Sequence, residues 1–92
     1  MAITHGMNVE QVRQIAGKLD REAQQIEAII QHVNNHIQEA LEAWKGPDSR
    51  QFSQLWEGQH RPQLRKLKND LEDLARKARS NATAQTSTSS SF

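Results

Sequence analysis

The sequence predicts an all-α protein, an antiparallel two-helix hairpin that dimerises into a four-helix bundle. Two apolar 3-4 repeats, one in each half of the chain, are the first two observations behind this reading. The third is the short segment between them, Trp44-Lys45-Gly46-Pro47, where a helix stops and another can start. At 92 residues the chain makes one domain at most.

Residues 1–7 precede the first repeat and are expected to form a flexible leader. Asn8 is the predicted N-cap of helix one, with Gln11 three residues later in capping-box spacing. From there the apolar positions run Val9, Val12, Ala16, Leu19, Ala23, Ile26, Ile30, Val33, Ile37, Ala40 and Trp44, with no polar residue among them. Ile15, Ile29 and Leu41 widen the seam into a face, and Glu10, Gln14, Lys18, Arg21, Gln24, Gln31 and Gln38 fall on the opposite side. This predicts a helix over about residues 8–45. From Val9 to Trp44 it would be roughly 54 Å long, and its 3.5-residue repeat implies a left-handed supercoil against a neighbour.

The turn is expected at residues 45–48. In a Trp-x-Gly turn the indole of Trp44 would fill the end of the hairpin, and Gly46 would take backbone angles that other residues resist. A second copy, Trp56-Glu57-Gly58, lies away from the midpoint where a reversal is needed. Pro47 and Asp48 suit a first helical turn, so helix two is predicted over about residues 48–80. Its stripe is Phe52, Leu55, Trp56, Leu64, Leu67, Leu71, Leu74 and Ala78. The step from Trp56 to Leu64 is one residue longer than a heptad, and a kink over residues 58–62, beside Pro62, is expected to absorb the slip, a break into two shorter helices being the competing reading. Residues 81–92, rich in Ser and Thr, read as a disordered tail.

A lone hairpin leaves one apolar face wet, and two hairpins cover each other economically. The predicted hairpin and dimer core is therefore Val12, Leu19, Ile26, Ile30, Val33, Ile37, Phe52, Trp56, Leu64, Leu67, Leu71 and Leu74. Ala16, Ala23 and Ala40 would let helices approach closely.

The same composition excludes several function classes. A net charge of +1, with both signs mixed along the chain, gives no electrostatic footprint for nucleic acid. Basic residues cluster at Arg65, Lys66 and Lys68 and at Arg76, Lys77 and Arg79, but Asp70, Glu72 and Asp73 between them predict local ion pairs on a solvated face. No apolar run is long enough to span a membrane. Met1 to Gly6 lacks the basic start and apolar core of a cleaved signal peptide. With no cysteine, disulfides and thiolate metal sites are excluded. His32 and His36 lie one helical turn apart without an evident third ligand, and no nucleophile and base are paired by spacing, so no catalytic residue, cofactor or metal is expected.

With Trp44-x-Gly46 at the centre and Gly46-Pro47-Asp48 followed by Phe52 and Trp56, the chain resembles the WXG100 family of ESAT-6-like proteins, and is similar to its actinobacterial branch. The resemblance covers residues 8 to about 80. It implies an antiparallel hairpin, pairing with itself or a WXG100 paralogue, and secretion by a type VII system without a cleaved signal peptide, from the cytoplasm where the chain is made. It also implies a recognition role for Trp44, Lys45 and Gly46. Members read directly by the export machinery carry Tyr-x-x-x-Asp/Glu after helix two, and this chain has no Tyr; His60 is followed four residues later by Leu64, not by an acid. Either a partner supplies the signal, or this chain uses a divergent one, or it stays in the cytosol as an adaptor for a larger toxin.

Overall fold

A computed structural model describes residues 7–90, and the side chains of residues 7–86. Residues 1–6 of the expected leader and the last two residues of the expected tail lie outside the described residues. Helix α1 spans Val9–Ala43, helix α2 Pro47–Leu55 and helix α3 Arg61–Ser90, with a π-helical turn, Trp56–His60, joining α2 to α3 without a break. The molecule is a rod, 68 × 17 × 15 Å.

Helix α1 starts where the polar cap allows it, because Asn8 is extended (φ −92°, ψ 100°) and its Oδ1 accepts the Gln11 N–H at 3.0 Å. It ends at Trp44, whose extended backbone leaves the helix while its N–H still reaches the Ala40 carbonyl. Pro47 opens α2, where its missing N–H costs nothing, and Asp48 sits in the first turn.

The one-residue slip is absorbed by the π-turn. Here the Arg61 N–H reaches back to the Trp56 carbonyl, five residues away, so one extra residue fits while the helix stays continuous. Widening at this point also relieves Pro62, which has no N–H to give. The expected kink is therefore a bulge in one long helical arm.

The seam between α1 and α3 is closed by Ala16, Ala23, Ile30 and Ile37 on one side and by Trp56, Ala75 and Ala82 on the other. Ile30, Ile37 and Trp56 form its large-residue cluster, with Ile26, Val33, Leu41 and Leu64 packed around them. Alanines then carry the seam towards the open end of the hairpin, where close helix approach replaces large side chains.

Helix α3 extends further than composition suggested, running on to Ser90 through most of the segment expected as tail. Ala82 is fully buried one heptad after Ala75, Arg79 bridges to Asp20 at 2.6 Å, and the Thr86 hydroxyl donates to the Ala82 carbonyl at 3.0 Å. Small residues at seam spacing hold this segment, and their weak hydropathy hid them among Ser and Thr.

Candidate functional site

Each flank of the seam has its own chemistry. Positions four residues after buried Ala16, Ala23 and Ile30 are Asp20, Glu27 and Asn34, and all three are tied across to α3 or the π-turn. Arg79 holds Asp20; Lys68 donates to Glu27 at 3.2 Å, with Arg65 at 3.7 Å from the same oxygen. The Asn34 Oδ1 accepts from the indole Nε1 of Trp56 at 2.6 Å and from Arg61 at 3.2 Å. The Glu27 carboxyl is held below its ordinary value of 4.5, chiefly by the hydrogen bond from the Gln31 amide and then by Lys68. Lys66, Arg76 and Lys77 do form the local pairs expected of them, with Asp70 and Asp73. Lys77 in turn holds the Asp73 carboxyl below its ordinary 3.8.

The other flank is open and carries large apolar side chains, interrupted on α1 by exposed Glu22 and His36. Ile15 and Ile29, one position before buried Ala16 and Ile30, stand exposed, and so do Leu67 and Leu74, one before Lys68 and Ala75. In an antiparallel pair these flanks lie on one side of the rod, opposite the polar rungs. Phe52 and Leu55 are exposed as well and continue the stripe towards the turn. Of the residues predicted as hairpin and dimer core, the single hairpin buries Ile30, Ile37 and Trp56. Val12, Leu19, Ile26, Val33, Leu64 and Leu71 are half-buried, while Phe52, Leu67 and Leu74 face solvent.

At the tip, Trp44 is 56% exposed instead of packed into the end of the hairpin, whereas Trp56, of the second Trp-x-Gly, is 5% exposed and fills the core. Lys45 is exposed beside Trp44. Gly46 corrects a second expectation: its backbone is extended (φ −162°, ψ 170°), which any residue adopts. A Cβ there would meet Trp44 Nε1 at 3.5 Å and Cδ1 at 3.7 Å, so the indole edge lies over the bare glycine. Ser49, buried at 6% exposure, places its hydroxyl 2.8 Å from the Trp44 carbonyl and 3.2 Å from that of Gly46. Sequence reasoning passed over Ser49, Asn34, Arg61, Ala75 and Ala82. A signal for Asn34 existed in the heptad interval from Asp20 through Glu27.

Among the described residues no three His, Cys, Asp or Glu side chains gather to hold a metal, and no helix is long and apolar enough to cross a membrane. His36 lies 3.0 Å from Glu39, both exposed, and His60 stacks on Phe52 with ring centroids 6.1 Å apart. What the arrangement offers is surfaces: an exposed aromatic tip and a long apolar flank.

Searches of curated proteins and of solved structures gave no match. A family model described as "Proteins of 100 residues with WXG" matches residues 6–89 and spans both helical arms and the exposed tip. The chain belongs to the WXG100 family of small ESAT-6-like proteins of type VII secretion systems.

Proposed function

We propose that this chain is a small non-enzymatic protein exported through a type VII secretion system as one half of a four-helix bundle. The other half is a second copy or a WXG100 paralogue. The two-sidedness of the hairpin carries this reading. One flank spends its polar groups internally, on the rungs at Asp20, Glu27 and Asn34, while the other leaves Ile15, Ile29, Leu55, Leu67 and Leu74 in water. A row of exposed large apolar side chains on a small protein is an interaction surface, and the apolar face of a second hairpin fits it. The bundle then presents Trp44, Lys45 and Gly46 at its end as the element that the machinery reads. The missing Tyr signal is supplied by the partner or by the C-terminal segment of this chain. Export proceeds from the cytoplasm without a cleaved signal peptide.

The absent Tyr also supports a second reading, a cytosolic adaptor whose open flank pairs with a helical segment of a larger secreted toxin. Secretion separates the two. In a strain with an active type VII system, the chain should appear in the medium, and Trp44→Ala should stay in the cells while circular dichroism shows it folded. Removing residues 83–92 leaves export intact where the partner carries the signal. Retention of the parent chain in the cytoplasm, alone and beside its paralogue, would establish the adaptor instead.

A further inference from the structure

The turn that presents Trp44 has few intrinsic constraints. Trp44 and Gly46 are extended, none of the described residues has a positive φ, and Gly46, as the N-cap of α2, has no side chain to cap with. A three-residue link of this kind would let the tip swing between the two helices. Ser49 supplies what the link lacks. It is a polar side chain buried in the first turn of α2, and its hydroxyl reaches the carbonyls on both sides of Lys45, one of them the C-cap of α1. A hydroxyl has one proton, so it donates to the two oxygens as a shared bond, stronger to Trp44 at 2.8 Å than to Gly46 at 3.2 Å. The Trp44 carbonyl is thereby fixed to α2. The indole leaving the same residue is pinned from the other end, where it lies over Gly46.

We propose that Ser49 is a positioning residue for tip recognition: by tying the Trp44 and Gly46 carbonyls to α2, its hydroxyl holds the exposed indole of Trp44 in the one orientation in which it is read. This rests on the export role proposed for the tip, and extends it from the Trp-x-Gly triplet to a serine three residues beyond it. The loss of Ser49 is a loss of aim, because the side chain is buried within the hairpin and acts through the two carbonyls it holds.

The test reads Trp44 directly. In a Trp56→Phe background Trp44 is the remaining tryptophan, so its anisotropy and its quenching by acrylamide report the tip alone. Ser49→Ala should keep the helicity and the mass of that background, lower the anisotropy, raise the quenching constant about two-fold, and cut export of the otherwise native chain several-fold. Ser49→Thr keeps the hydroxyl and should restore both signals. An unchanged Trp44 signal in Ser49→Ala would overturn the proposal. So would a loosened Trp44 with export at the parental level, or a Thr variant that behaves like Ala. The export role of the tip fails by a different result, undiminished secretion of Trp44→Ala.

Discussion

Asn34 accepts two hydrogen bonds on one oxygen, from Trp56 at one end of the π-turn and from Arg61 at the other. Trp56 thus joins a buried ring to a satisfied N–H, and substitutions can separate the two contributions. Trp56→Phe keeps most of the ring and loses the bond, which should lower stability by about 1 kcal/mol; Trp56→Ala also opens a cavity and should cost about 3 to 5 kcal/mol. Urea melts at fixed chain concentration measure both. Equal losses would mean that the ring contributes nothing beyond its N–H. Glu27 gives a pH dependence of known sign. Its folded carboxyl titrates below the ordinary 4.5, so its contribution is fully present above that value and disappears as pH falls through the folded one. Glu27→Gln should therefore melt below the parent at pH 7, with the gap closing as pH falls below the ordinary 4.5 and through the lowered folded value. A gap independent of pH would show that Glu27 acts through packing. These polar residues were hard to read in sequence because Asp20, Glu27 and Asn34 look like ordinary solvated positions until the partner arm is known. The apolar seam needed no such knowledge, since Ile30 and Ile37 announce themselves by period.

The π-turn explains how two arms with mismatched stripes make one element. Phe52 and Leu55 before it, and Leu67 and Leu74 after it, fall on the same side because the turn takes up one residue; in an unbroken α-helix the later stripe would be rotated by about 100°. Deleting Gly58 removes the extra residue and leaves the stripes aligned, so the variant should fold with parental helicity and mass. The same deletion at Asn69, inside α3, should break the alignment between Leu67 and Leu71 and lower the melting temperature sharply. Equal tolerance of both deletions, read by circular dichroism melts, would sink the phase argument. A milder change is Gly58→Ala. A Cβ there meets nothing within 4 Å, and Ala restricts the unfolded chain, so a gain of about 0.5 to 1 kcal/mol is expected. The slip was legible in sequence from the eight-residue step and Pro62; the form it takes was not, because a kink, a break and a bulge satisfy the same spacing. Likewise the Ser/Thr composition of residues 80–90 concealed the seam position Ala82, one heptad after Ala75.

At the scale of the whole molecule the question is whether the apolar flank is covered, and aspartates at Ile29 on α1 and Leu74 on α3 decide it. Ile30 is fully buried inside the hairpin, so Ile30→Asp should unfold the chain in any assembly, by placing an unpaired carboxylate in the seam. Ile29, its neighbour, is 51% exposed in the single hairpin, and Leu74 on α3 is 53% exposed. In a solitary hairpin Ile29→Asp and Leu74→Asp are surface changes that shift stability within about 0.5 kcal/mol. In a four-helix bundle the same residues meet the second hairpin, and each variant should dissociate it. Light scattering should then fall from about 21 kDa, twice the 10.5 kDa of one chain, to the mass of one, or mixing with a paralogue should no longer raise the melting temperature. Gln14→Asp, on the exposed polar side of α1, is the control and should change neither. If Ile29→Asp and Leu74→Asp matched that control in mass, melting and partner binding, the flank would be open in the working protein, and the pairing of hairpins would have to be abandoned while the hairpin itself stood.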